Sequence, residues 1–354
     1  MDGIEGLVIR VERKIGRITL DRPKALNALT LTMVRGLVTT LTRWASDPNV
    51  SVVLLDGAGD RAFCAGGDIK SIFDADRSNG NPHARTFWRE EYALDHMIAT
   101  YPKPIVALIS GIVMGGGAGL AINARFRVVD ERATFAMPET GIGLIPDVGA
   151  SRFLSGMPGE AGTYLGLTGR SINAATMIAT GLADAFVLRR DRARLLDGLD
   201  EITTTGAQSF AAVESVLKSC GSDPGPGSLA NTDDLDQVFS GDTVETILDH
   251  LDQHGSDWAR ETAELIRGRS PTSLKLTLSA LRRARDLPDL ATSLAMEFRV
   301  VCRIAEGVDF YEGVRAAVID KDRNPAWNPA RLADVTDETI DWYFASLGGE
   351  ELKL

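Results

Sequence analysis

Cysteine is scarce in these 354 residues: Cys64, Cys220 and Cys302 are the only three, and none belongs to a C-x-x-C pair. Neither a disulfide framework nor a zinc site is expected, and a reducing compartment suits the chain. Positive charge is also in deficit, with 38 Lys and Arg against 49 Asp and Glu and a net charge of −11. That balance argues against a nucleic-acid surface or an anionic membrane as the main partner, although a local basic pocket for a phosphorylated ligand is compatible with it. No apolar run approaches the roughly 20 residues needed to cross a bilayer. The start, Met1-Asp2-Gly3-Ile4-Glu5-Gly6, lacks the cationic and apolar stretches of a secretory signal and the Arg-rich, acid-poor composition of a transit peptide. Cytoplasmic residence is therefore the expectation.

Histidine is rare too, with four in the chain. His250 and His254 lie four apart but lack the glutamate of H-E-x-x-H, so no metal site is expected. There is no G-x-S-x-G or P-loop string, which weighs against a serine hydrolase or a nucleotide triphosphatase. No repeat of solenoid or propeller length occurs.

What is present is ordinary in bulk, 44% hydrophobic and 25% charged, as in a globular protein with a substantial core. Leu7 to Glu12 and Arg17 to Asp21 read as a hairpin turning at Lys14-Ile15-Gly16. A helix from near Thr30 carries Leu31, Val34, Leu37, Val38, Leu41 and Trp44 on one face and ends at Ser46-Asp47-Pro48-Asn49. Val50 to Leu55 and Pro104 to Ile109 read as buried strands, each delivering the chain to a glycine turn and a helix. Arg77 to Arg85 reads as a loop, followed by a helix over Phe87 to Ala99. This repetition of strand then helix predicts an α/β fold with mostly parallel pairing. Two regions are expected, a catalytic core over 1–188 and a mostly helical region over 189–354, with linker composition near 221–228. In the second, Asp233 to His254 and Asp257 to Arg267 read as acidic, exposed helices, Ser270-Pro271-Thr272 starts another, and Leu290 to Ala305 is the last. The tail from Asp309 to Trp327 leaves the helical period.

Chemistry concentrates between Met114 and Gly149. Gly66-Gly67 and Gly115-Gly116-Gly117 each bring bare backbone to a turn before a helix. If each offers an N–H to one carbonyl oxygen the pair forms an oxyanion hole, where one donor is worth about 2.7–4 kcal/mol of activation free energy. Plain tight turns are the alternative, and Gly115, Gly117 and Gly119 only partly match a dinucleotide fingerprint. Glu139 and Asp147 each follow a proline and share a glycine-bearing loop, which suits a base or nucleophile with a proton-transfer partner. Read singly, each is more often a solvated acid, and Asp147 an N-cap for a helix near Val148. Glu90 and Glu91, beside Arg89, read as exposed helix charge, and Cys64 as a small packed thiol.

Three segments together resemble the crotonase, or enoyl-CoA hydratase/isomerase, family: Arg22-Pro23-Lys24-Ala25-Leu26-Asn27-Ala28-Leu29, Ala62-Phe63-Cys64-Ala65-Gly66-Gly67-Asp68-Ile69 and Gly111 to Gly119. The resemblance extends through Met137 to Gly149, Ser270 to Lys275 and Glu312 to Trp327, and is weakest between about Arg189 and Gly255. It implies a crotonase-like fold of repeated ββα units with a mostly helical C-terminal part. It also implies oxyanion donors at the N–H groups of Gly67 and Gly116, a main carboxylate at Glu139 with Asp147 as its partner, and substrate contacts from Glu91. Coenzyme A, which is part of the substrate rather than a separate cofactor, would lie along Lys24, Ala25 and Leu26 and along Ala65, Asp68 and Ile69, with Lys24 available to a phosphate.

One departure separates the family's activities. Its hydratases use two glutamates, and the first would fall at Gly119, which has no side chain. The resemblance therefore implies hydrolysis of a short 3-hydroxyacyl-CoA thioester, with 3-hydroxyisobutyryl-CoA of valine breakdown as the expected substrate. An enoyl-CoA hydratase or isomerase and a catalytically silent acyl-CoA-binding protein are the alternatives. A homo-oligomer is compatible with the family.

Overall fold

The computed structural model describes residues 3–75, 81–204, 210–227, 229 and 232–354. The chain divides into two compact units that interleave along the sequence. The first comprises Met1–Gly67, Ala93–Phe135 and Ile172–Ser228, and the second Asp68–Tyr92, Ala136–Ser171 and Leu229–Leu354. This partition cuts across a boundary near residue 188.

The first unit is built, but for Ala136 at the end of β8, on strands β1 (Leu7–Glu12), β2 (Ile15–Leu20), β3 (Val52–Gly57), β4 (Ala62–Cys64), β5 (Ile105–Ile109), β6 (Ile112–Met114), β7 (Phe126–Val129), β8 (Thr134–Ala136), β9 (Ile172–Asn173) and β10 (Ala185–Phe186). Six form a sheet in the order β1-β2-β3-β5-β7-β10, and four form a second in the order β4-β6-β8-β9. Only β1 with β2 pairs antiparallel in the larger sheet; the others run parallel, as with Val53 opposite Ile105 and Leu108 opposite Val128. The hairpin turns at Arg13 and Lys14, both at positive φ, one residue earlier than the Lys14-Ile15-Gly16 reading. Two consecutive positive φ values match the twist of the strands that a two-residue turn joins.

Val52 to Leu55 and every residue of β5 are buried, as parallel strands covered on both faces require. Leu195, Leu199, Val213 and Leu217, from the helices Arg192–Thr204 and Phe210–Cys220, pack with Val52, Leu54, Val106, Leu108, Phe126 and Val128. The helix Leu31–Ser46, capped by the Thr30 hydroxyl, buries Met33, Val34, Leu37, Leu41 and Trp44, whose ring lies against Gly16 of β2.

The second unit is helical. Pro271–Ala284, capped by Ser270 with its proline in the first turn, is nearly all buried and packs against Ala150–Ser155, Ala161–Thr168 and Asp337–Phe344. Several expectations need correction here. Asp233 to His254 is two helices, Thr232–Phe239 and Val244–His254, because Thr243 caps a new start after Gly241. Their apolar stripes, with Val238, Phe239, Ile247 and Leu251, are buried rather than exposed. The chain is helical from Pro82, so residues 82–85 are not loop, while Asn79 and Gly80 of that reading lie outside the described residues. The tail keeps helical form over Asp309–Val314, continues as a π turn over Arg315–Ile319, and holds a further helix at Asp337–Phe344. Residues 221–227 have no helix or strand, and Ser228 lies outside the described residues. No helix among the described residues is long and apolar enough to cross a membrane.

Candidate active site

In the first unit two glycine turns lie side by side because the strands that feed them pair. β4 runs parallel to β6, with Cys64 opposite Val113, so Gly66-Gly67 and Gly115-Gly116 leave the same end of one ladder. A Cβ built on Gly66 would stand 3.9 Å from the Gly116 nitrogen and 3.6 Å from the Met114 carbonyl oxygen. Gly116 opens the helix Gly116–Ile122, and the first N–H groups of a helix have no acceptor within it. On the other turn the neighbouring segment is bridged through Leu29 N–H to the Gly66 carbonyl, at 2.9 Å, a bond that does not use the Gly67 N–H. Close approach is enforced at Gly117, where a Cβ would fall 2.2 Å from the Cys64 carbonyl oxygen. Any larger residue would lift the helix off β4.

The same corner holds the expected coenzyme A segment. Ala65 N–H donates to the Leu26 carbonyl at 3.0 Å, which places Lys24, Ala25 and Leu26 beside the first glycine turn. Pro23–Ala25 is a single 3-10 turn with no buried residue, so the Lys24 ammonium faces solvent. The turn is pinned by the buried Asn27, whose amide accepts from Arg22 N–H at 2.9 Å and donates to the carbonyls of Ala58 and Ala62 at 3.0 and 2.9 Å.

The second unit gathers four carboxylates. Glu91, Glu139, Asp147 and Glu297 are all buried, at 2, 6, 4 and 0% exposure. Glu139 begins the 3-10 turn Glu139–Ile142, which ends in a left-handed Gly143. A Cβ at Gly143 would lie 2.3 Å from the Asp309 carbonyl oxygen, so glycine lets the helix Asp309–Val314 press against this turn and fix the Glu139 backbone. Asp147 Oδ2 accepts a 2.7 Å hydrogen bond from the Tyr92 hydroxyl, and Tyr92 packs edge-on against Phe298. Asp147 does not cap a helix as its spacing proposed: the helix begins at Ala150, with Gly149 in the cap position. Glu91, read from its neighbours as exposed charge, is interior. One oxygen of Glu91 and one of Glu139 are buried without a hydrogen-bond partner, as groups awaiting a ligand are.

Burial dominates the electrostatics. It lifts Glu139 and Glu91 well above the ordinary carboxylate range, and the Asp147 charge adds to both. Burial also lifts Asp147, to about 6, held back by the Tyr92 hydrogen bond and by its own backbone. Asp147 is the one of the three with a side-chain hydrogen bond that favours its charged form, and no cation is among the groups that shift them. Glu297 is lifted to about 8 by burial against hydrogen bonds from Ser151 and Gly149.

The expected site residues therefore divide. Lys24, Ala25, Leu26, Ala65, Gly67 and Gly116 belong to the first unit; Asp68, Ile69, Glu91, Glu139 and Asp147 belong to the second. Asp68 caps the helix Ile69–Asp74 through the Ser71 N–H. Tyr92 and Glu297 escaped the sequence reading. Tyr92 adjoins a singled-out glutamate, whereas nothing local marks Glu297, one acid on an amphipathic helix 150 residues beyond Asp147. The histidine pair serves the fold: His250 Nδ1 lies 3.1 Å from the Val238 carbonyl, and His254 Nε2 3.2 Å from Asp234.

The sequence pattern described as enoyl-CoA hydratase/isomerase matches residues 15–344. The chain belongs to the enoyl-CoA hydratase/isomerase, or crotonase, family. Among curated members, the mitochondrial 3-hydroxyisobutyryl-CoA hydrolase of Rattus norvegicus is 44% identical over 96% of this chain and 88% of its own length. That of Homo sapiens is 41% identical over 99% and 92%. Among solved crotonase structures, a carnitinyl-CoA dehydratase from Mycobacterium thermoresistibile superposes with a TM-score of 0.91 at 39% identity, covering 99% of this chain and 98% of that one. An enoyl-CoA hydratase from Rhodobacter sphaeroides gives 0.88 at 37%, covering 99% and 100%. These relatives establish the crotonase fold and support coenzyme A thioester chemistry. They overturn the expectation of a cytoplasmic location, since the curated hydrolases are named as mitochondrial.

Proposed function

We propose that this crotonase hydrolyses a short 3-hydroxyacyl-CoA, foremost 3-hydroxyisobutyryl-CoA, to the free acid and coenzyme A. The observation that carries the reading is the buried Glu139 carboxylate, with one oxygen unpartnered and Asp147 acting on its charge, in a chain with no side chain at Gly119. Identity of 44% over nearly the whole chain to a hydrolase of that substrate supports it.

In this mechanism the thioester oxygen accepts hydrogen bonds from the Gly67 and Gly116 N–H groups, which stabilise the oxyanion as it forms. Ionised Glu139 acts by one of two routes, attacking the carbonyl carbon to give an acyl anhydride or taking a proton from the attacking water. In the first route the carbon–sulfur bond breaks as the oxyanion collapses to the anhydride, which water then hydrolyses to the free acid and Glu139; in the second it breaks as the water adduct collapses. In both the thiolate leaves with a proton delivered with the help of Asp147. Burial makes Glu139 a stronger base once ionised, at the cost of delaying ionisation to higher pH. Glu91 contacts the acyl group, and Lys24 pairs with a phosphate of coenzyme A.

A second reading, addition of water to an enoyl-CoA, is favoured by the names of the two solved neighbours. It requires a second catalytic acid where this chain has Gly119. Thiol release across a panel of short acyl-CoA esters tests the proposal. Fastest turnover of 3-hydroxyisobutyryl-CoA is expected, and no release from any ester contradicts it.

A further inference from the structure

Two residues separate Asp147 from the start of the helix Ala150–Ser155, and their backbone is unusual. Val148 has φ of 56° and Gly149 φ of 90°, so the chain passes through two successive left-handed residues, one of them β-branched. A β-branched residue rarely holds this conformation unless surrounding contacts over-determine it. The residues that follow Val148 are held by Glu297, a fully buried acid on the helix Leu290–Ile304. Its Oε2 accepts the Gly149 N–H at 2.7 Å, and its Oε1 accepts the Ser151 N–H at 2.8 Å and the Ser151 hydroxyl at 2.5 Å. Both carboxylate oxygens are thus engaged, one by Gly149 and the other by Ser151. Unlike Glu91 and Glu139, Glu297 has no bare oxygen to offer a substrate.

We propose that Glu297 is the positioning residue of Asp147: by accepting the Gly149 and Ser151 N–H groups it holds the turn that aims Asp147 at the Tyr92 hydroxyl. The groups that interact with Asp147 are Glu91 and Tyr92 from the helix Pro82–Ala99, Glu139 from the 3-10 turn, and Glu297 itself. None is a cation. The Tyr92 hydrogen bond is the one side-chain contact that favours the Asp147 anion, so any drift of the turn that lengthens it makes Asp147 harder to ionise. Glutamine cannot replace Glu297 without loss, since in either orientation its NH₂ faces a backbone N–H of the turn.

The test compares wild type, Glu297→Gln, Tyr92→Phe and the double variant of the full chain. Asp147 is titrated by carbon NMR with labelled aspartate and assigned through Asp147→Asn. The wild-type midpoint near the expected value of about 6 should rise by about one unit in Glu297→Gln. The double variant should rise no further than Tyr92→Phe alone, because both changes remove one hydrogen bond. On the hydrolase reading, kcat at neutral pH should fall by about 10- to 100-fold in Glu297→Gln while KM stays within about threefold. A wild-type midpoint in Glu297→Gln, or shifts that add in the double variant, overturns the proposal. Ser151→Ala, which removes one of the three bonds, is the milder variant should Glu297→Gln fail to fold: a smaller rise in the same direction supports the proposal, and an unchanged midpoint overturns it. If wild type releases no thiol the hydrolase reading fails, and the titration still decides the role of Glu297.

Discussion

The Tyr92 hydroxyl donates a 2.7 Å hydrogen bond to Oδ2 of Asp147, and both groups are buried. This contact makes Asp147 unlike its neighbours: burial penalises every carboxylate in the cluster, and Asp147 alone has a phenol to share its charge. Tyr92→Phe is expected to raise the ionisation midpoint of Asp147 above about 6 by about one to two pH units, the equivalent of a hydrogen bond to a charged group. Carbon NMR titration of labelled Asp147 checks this, and an unmoved midpoint removes the Tyr92 hydrogen bond from the account.

Stability should depend on pH in the direction opposite to that of a salt-bridged carboxylate. Asp147 and Glu297 release their protons near 3.8 and 4.5 when unfolded but near about 6 and about 8 when folded. Between those values the folded chain holds more protons, so stability is greatest below the unfolded values and falls as pH rises through the folded ones. Urea midpoints measured across this range should decline as pH rises. In Glu297→Gln the decline between about 6 and about 8 should flatten.

Gly143→Ala tests the packing that fixes Glu139. Its φ is 71° and an added Cβ would lie 2.3 Å from the Asp309 carbonyl oxygen. The substitution should destabilise by more than about 1 kcal/mol and displace the Glu139 turn. Activity remaining below the melting transition should fall further than the folded fraction does; equal losses would leave the turn without a catalytic role.

Hydration of crotonyl-CoA should be at least about 100-fold slower than thioester hydrolysis, since the general acid–base contribution of a glutamate is absent at Gly119. Loss of the enoyl absorbance measures it.

How much of this was legible in the sequence depends on the distance over which each feature is determined. The Thr30 and Ser270 caps, the alternation of buried strands with helices and the glycine turns are local, and local chemistry sufficed for them. Glu91 was misread because its neighbours Arg89 and Glu90 give that stretch a charged composition, while its burial depends on segments far away in sequence. Asp147 was read as a partner of Glu139, with a helix cap as the alternative; its hydrogen-bond partner Tyr92 is 55 residues upstream and left no local signal. Glu297 lies on a helix whose period explains its apolar neighbours, and only the fold shows that Gly149 and Ser151 point at it. Expectations on the acidic C-terminal helices failed similarly, since charged content concealed stripes that are buried.

The central claim is that Glu139 performs the chemistry of thioester hydrolysis. The most direct measurement is the rate of thiol release from 3-hydroxyisobutyryl-CoA by the wild-type chain and by Glu139→Gln, each checked for equal folded content. A loss of about 10²–10⁴-fold in kcat, the usual contribution of a positioned base, is expected. Thiol release by Glu139→Gln at the wild-type rate would contradict the account.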